Sequence, residues 1–79
     1  MHTVNIYSSP TCHFCHLAKD FFNANKIEFT DHDVVTDPTA IEEAIEKSGQ
    51  MGVPVIDVDG SIVVGFNEPE LRKLLELNS

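Results

Sequence analysis

Ser8-Ser9-Pro10-Thr11-Cys12-His13-Phe14-Cys15-His16-Leu17-Ala18-Lys19 carries both cysteines of this 79-residue chain. Ahead of it, Val4-Asn5-Ile6-Tyr7 has the β-branched and aromatic alternation of a short strand. Behind it, Leu17, Ala18, Phe21 and Phe22 recur at helical spacing until Asn23, Asn25 and Lys26 end the stripe. The cysteines are therefore expected at a strand-to-helix turn, with the helix starting near Cys12. A thiol at the first turn of a helix faces unpaired backbone N–H groups and the positive end of the helix dipole, which favour a thiolate. Cys12 is the candidate nucleophile. Cys15 lies one turn deeper on the same face, where Cβ atoms are ~5–6 Å apart and a small rotation closes a disulfide, so it is the candidate resolving thiol. Phe14 falls off the apolar stripe and is expected to form a partly exposed lip of the site.

Outward from this stretch the chain is read as one α/β domain spanning residues 1–79, in the order β-α-β-α-β-β-α. The first strand is expected over Thr3 to Tyr7. A second runs from Ile27 through Phe29 towards Val34 and Val35, its polar Asp31, His32 and Asp33 placing it at an edge. Asp37 as N-cap, Pro38 at the first helical position and Gly49 as C-cap bound a second helix that buries Ile41, Ala44 and Ile45. Gly52 to Val58 forms a third strand opened by Pro54, and Asp59-Gly60 turns it into a fourth over Ser61 to Val64. Asn67 with Glu70 makes a capping box for a last helix that buries Leu71, Leu74 and Leu75. Two parallel strands joined by a helix form a right-handed unit. Four strands of mixed direction flanked by three helices follow.

Composition excludes several functions. Five basic against thirteen acidic residues give a net charge of −8, and the basic residues are scattered, which argues against nucleic acid. The acid excess gives a solvated surface or steers a basic patch on a protein partner. The sequence has no apolar run of the ~20 residues a membrane span needs and no basic-then-apolar start, so a cytoplasmic location is expected, and the chain is expected to be a monomer. There cysteines rest reduced. A disulfide between Cys12 and Cys15 closes too short a loop to stabilise the fold appreciably, which points to redox chemistry.

The element order, with Cys-x-x-Cys after the first strand and Gly52-Val53-Pro54 before the third, resembles the glutaredoxin branch of the thioredoxin-like fold. Tyr7-Ser8, Ala18-Lys19 and the hairpin into Gly65 add to the resemblance, which covers essentially the whole chain. It implies a dithiol-disulfide oxidoreductase serving cell redox homeostasis, with Cys12 as nucleophile and Cys15 as resolving thiol. It further implies that Pro54 is cis and that the backbone of Val53 pairs with a bound thiol substrate as an added strand. Gly65, Phe66 and Asn67 match the turn where glutathione-using members hold a carboxylate on helix N–H groups. Glutathione is thus a candidate co-substrate, with no bound cofactor and no metal, and disulfide-containing proteins are the expected partners. Three departures weigh against glutathione. Many glutathione-using members carry a lysine ahead of the cysteines, where this chain has Ser8 to Thr11, and a Gly-Gly turn followed by aspartate, where it has Val64-Gly65-Phe66-Asn67-Glu68. The net charge also disfavours an anionic tripeptide. A Gly-Phe turn is similar to that of NrdH-type redoxins, which draw electrons from thioredoxin reductase and supply ribonucleotide reductase.

His13 stands where the family usually has proline. It either donates to the Cys12 thiolate or is a solvent-exposed replacement with little effect, and Lys19 either adds positive potential to the site or is a solvated helix residue. His2, His16 and His32 are assigned surface or packing roles. Cys12 to His16 also spells the attachment motif of c-type haem, with Met51 as a second axial ligand, and two cysteines with two histidines admit a zinc site or an iron–sulfur cluster as a metal-binding alternative. The strands, the hairpin and the Val-Pro loop favour the dithiol reading over haem. Neighbouring residues on one helix point apart, whereas structural zinc draws its second ligand pair from a distant segment, which favours the dithiol reading over a metal site. A non-enzymatic module on the same fold is disfavoured because both cysteines are kept.

Overall fold

The computed structural model describes residues 3–49 and 52–77. The elements are β1 (Val4–Ser8), α1 (His13–Ala24), β2 (Thr30–Asp33), α2 (Pro38–Ser48), β3 (Val55–Val58), β4 (Ser61–Val64) and α3 (Glu68–Leu74), the order read from the sequence. The four strands form one mixed sheet in the order β2-β1-β3-β4. β1 pairs with β2 in parallel and with β3 antiparallel, and β4 pairs antiparallel with β3. Ser8 stands opposite Asp33, Tyr7 opposite Val55, and Val55 opposite Val64. The C-terminal ends of β1, β2 and β4 therefore meet the N-terminal end of β3 at one rim of the sheet, and the cysteine turn leaves β1 at that rim.

Strand alternation sorts the core into two layers. Val4, Ile6, Ile56, Val58 and Val63 face Ala18, Phe21 and Phe22 of α1 with Leu71 and Leu75 at α3. Tyr7, Val34 and Val55 face Ala40 and Ala44 of α2. On the α2 side, Tyr7 donates its hydroxyl to Glu43 at 3.0 Å, and Lys47 pairs with the buried Asp57 at 2.6 Å, which also accepts the Gly60 N–H at 2.7 Å. Burial, then the bond to the Glu43 carboxylate, raises the Tyr7 phenol above its ordinary range.

Differences from the sequence reading lie at element ends. β1 runs one residue later than expected, and β3 begins after Pro54, whose ring nitrogen has no proton to offer a ladder. β2 is only the polar tetrapeptide Thr30–Asp33. Ile27 and Phe29 lie outside it because Lys26 takes a left-handed conformation (φ 57°) and the Ile27 N–H is held on the Phe22 carbonyl at 2.8 Å. Both side chains instead pack against the α1 layer from the loop. In α2, Ala40 is buried with Ala44, whereas Ile41 and Ile45 are only half-buried. Small residues let this helix lie close to the sheet. Leu17, expected on the α1 stripe, is also half-buried, as is Leu74 of α3. Among the described residues no helix is long and apolar enough to cross a membrane.

Candidate active site

Cys12 is the N-cap of α1, whose first residue is His13, as the expected start near Cys12 requires. Its Sγ accepts the Cys15 backbone N–H at 3.2 Å, the capping bond normally made by a serine or aspartate oxygen. The thiol in turn faces the Val53 carbonyl at 3.8 Å, and the Cys12 N–H donates to the Ser9 carbonyl at 3.1 Å. A half-buried sulfur is thus held at a helix start with one backbone donor aimed at it. Both cysteines are free thiols. Cys15 is fully buried at 0% exposure. Burial pushes its thiol up to about 12, the hydrogen bond and charge of Cys12 push the same way, and the Ser9 backbone and the Lys19 ammonium oppose them. One sulfur is open to a substrate and the other is kept protonated behind it.

The Val53-Pro54 bond is cis, as the resemblance implied. Pro54 is fully buried, and its carbonyl accepts the Gly65 N–H at 2.8 Å, joining the turn after β4 to the loop before β3. Gly65 sits at φ 81°, where a side chain would be strained. Phe66 follows with its ring against Phe21 at 5.9 Å, so this candidate binding residue is half-buried in the α1 layer rather than standing free in the site. Asn67 caps α3 by accepting the Glu70 N–H at 3.3 Å, the forward half of the expected capping box. Pro69, in the first turn of α3, has no N–H, and Glu68 and Glu70 place two carboxylates there. Glu68 pairs with Arg72 at 2.9 Å. The helix end that the resemblance assigned to a carboxylate is therefore short of donors and negatively charged.

Phe14 is 58% exposed beside Cys12, the lip expected of it. His13 is exposed, with its ring edge against Phe14 at 5.7 Å, and among the described residues no hydrogen bond joins it to Cys12 Sγ. His16 places Nε2 at 2.9 Å from the Pro10 carbonyl, bracing the turn between β1 and α1. His32 stacks on Tyr7 at 4.7 Å and meets Asn5 Oδ1 at 3.0 Å, a packing role. His2 and Met51 lie outside the described residues. Among the described residues no group of three or more metal-ligating side chains converges.

Lys19 is not a solvated helix residue. Its ammonium pairs with Asp31 of β2 at 2.6 Å, and the same carboxylate accepts the Ser8 hydroxyl at 2.6 Å. Burial alone would raise the Asp31 carboxyl, but the bonds from Lys19 and Ser8 outweigh it and hold the group below its usual range. Sequence reasoning noted Lys19 and Asp31 separately. Their meeting depends on the β1–β2 register, which no local pattern in the chain reveals.

A reduced Cys-x-x-Cys pair at a helix start, set beside a cis-proline loop on a mixed β2-β1-β3-β4 sheet, defines a redoxin of thioredoxin-like fold. Residues 4–63 match the glutaredoxin family model, and the chain belongs to the glutaredoxin family. It is 45% identical over 73 residues to an uncharacterized glutaredoxin-like 8.6 kDa protein of the rubredoxin operon of Clostridium pasteurianum, covering 92% of this chain and 97% of that one. It is 31% identical over 68 residues to glutaredoxin 3 of Escherichia coli, covering 86% of this chain and 82% of that protein. The structure superimposes with a TM-score of 0.77 on NrdH-redoxin from Escherichia coli, a glutaredoxin-like protein with a thioredoxin-like activity profile. That match covers 98% of this chain and 96% of the other at 25% identity.

Proposed function

We propose that this redoxin is a dithiol reductase of protein disulfides that draws its electrons from a thioredoxin-reductase-type enzyme. The observation that carries the reading is the paired environment of the two sulfurs: Cys12 half-exposed between the Cys15 amide and the Val53 carbonyl, Cys15 buried one turn behind. The Cys12 thiolate attacks one sulfur of a substrate disulfide, forms a mixed disulfide and expels the other sulfur as a thiolate, which takes a proton from water. Cys15 then loses its proton and attacks Cys12, and the second substrate thiol departs. Two electrons have passed to the substrate, and Cys12 and Cys15 are joined. The external reductase returns two electrons and restores the dithiol. The loop at Val53 and Pro54 aligns the incoming sulfur through main-chain contacts.

The choice of donor rests on the start of α3. Glutathione carries two carboxylates, and Pro69, Glu68 and Glu70 leave that helix end poorly suited to receive one. The likeness to NrdH-redoxin supports the same choice. A reducing compartment such as the cytoplasm suits this chemistry. The test is NADPH oxidation with hydroxyethyl disulfide, comparing thioredoxin reductase with glutathione plus glutathione reductase. Turnover through thioredoxin reductase and little through glutathione is expected, and none in Cys12→Ser. Full activity without Cys12 overturns the assignment, and efficient turnover with glutathione overturns the choice of donor.

A further inference from the structure

Cys15 presents a problem that Cys12 does not. It must give up a proton in the second half of the exchange, yet it is wholly buried. Three groups act on its sulfur: Cys12 at the helix cap, the Ser9 backbone from the turn, and Lys19 from its own helix. Of these only Lys19 carries a full positive charge. It stands four residues on from Cys15, on the same face of α1, where Cβ atoms are ~5–6 Å apart. It is also held in place, with its side chain only 21% exposed and its ammonium fixed by Asp31 at 2.6 Å. Asp31 in turn is anchored by Ser8, itself 2% exposed, at 2.6 Å. Elements β1, α1 and β2 thus converge to fix one cation that is carried one helical turn from the buried thiol on the same face of α1.

We infer that Lys19 is a positioning residue for the resolving step: its ammonium, held by Asp31 and Ser8, stabilises the Cys15 thiolate as that sulfur attacks the Cys12 mixed disulfide. The inference rests on the dithiol exchange proposed above. In the step concerned the Cys15 proton leaves to water, the Cys15–Cys12 bond forms, and the bond between Cys12 and the substrate sulfur breaks as the substrate departs with the electron pair. Lys19 neither donates nor accepts the proton. The first step, attack by Cys12, does not need it, because the backbone at the helix cap serves that sulfur.

The two steps separate in one stopped-flow experiment. The reduced protein is mixed with excess dithiobis(nitrobenzoate) at neutral pH, where attack by Cys12 releases one coloured thiolate and closure by Cys15 releases the second. In Lys19→Met, which keeps the aliphatic stem, the slow phase falls about three- to tenfold, the range expected for losing one partly screened charge near a buried thiol, while the fast phase is unchanged. Lys19→Arg restores the slow phase. The inference is overturned if Lys19→Met leaves both phases at wild-type rates, if both phases fall together, or if Lys19→Arg is as slow as Lys19→Met. Loss of the fast phase in the wild-type protein would instead refute the dithiol exchange itself.

Discussion

Replacing Glu68 with Gln and Pro69 with Ala should move this redoxin towards glutathione. Pro69→Ala returns one backbone N–H to the first turn of α3, and Glu68→Gln removes a carboxylate from the same turn. A hydrogen bond to a charged group contributes about 1.5–3 kcal/mol. At this solvated helix end the figure is discounted to about 1 kcal/mol, as for exposed charges generally. Relief of the repulsion between Glu68 and an incoming carboxylate adds an amount similar to other single-charge effects at a helix start, about 0.3–1 kcal/mol. The sum of about 1–2 kcal/mol corresponds to a gain of about five- to thirtyfold in kcat/KM for glutathione. The gain appears in the NADPH-coupled assay with glutathione reductase, and the rate driven by thioredoxin reductase serves as the control. Losing the Glu68–Arg72 pair at 2.9 Å costs about 0.3–0.5 kcal/mol and losing the acidic side chain from the helix start about 0.3–1 kcal/mol more, so the double variant remains folded. A double variant no better with glutathione than the parent would refute the electrostatic reasoning. So would a parent protein that already uses glutathione as well as thioredoxin reductase.

Serine at Cys15 should trap mixed disulfides visible as mass adducts of the substrate, whereas serine at Cys12 should trap none. Cys15 also makes stability depend on alkaline pH: its folded thiol is raised to about 12 from an unfolded value near ~8.5–9. The folded state therefore holds the proton longer, and stability present below that unfolded value is lost as pH rises towards about 12. Urea titrations across that range should show a steeper decline for the reduced wild-type protein than for Cys15→Ala, and parallel slopes would contradict the burial argument. Lys47→Met leaves Asp57, 7% exposed, with the Gly60 N–H but no counter-charge, and should cost about 1–2 kcal/mol in the same titration, less than a fully buried pair because Lys47 is partly solvated. Phe22→Ala empties the centre of the α1 layer, where the ring is fully buried between Phe21 and Phe29, and should cost about 3–5 kcal/mol, lowering Tm by about 15–30 °C.

Local chemistry in the chain determined most of the frame. Asp37, Pro38 and Gly49 bound α2 as read, because caps act over one turn and need no distant partner. Asp59-Gly60 closes the β3–β4 hairpin for the same reason, with φ of 51° and 94° at the two turn residues. The strand pattern before Pro10 and the apolar stripe after Cys15 place the two cysteines at the start of α1, again a local signal. Only the tertiary structure decided the extent of β2, since the Ile27 N–H is captured by the Phe22 carbonyl and two apolar residues that read as strand go to the helix layer instead. It alone decided that Phe66 turns onto Phe21, that Val53 offers its carbonyl to Cys12, and that Cys15 is sealed from water. The Ser8–Asp31–Lys19 cluster joins residues up to 23 apart in sequence through a parallel register. A parallel pairing is set by the packing of the crossover helix rather than by a turn, so this cluster is legible only once α1 lies on the sheet.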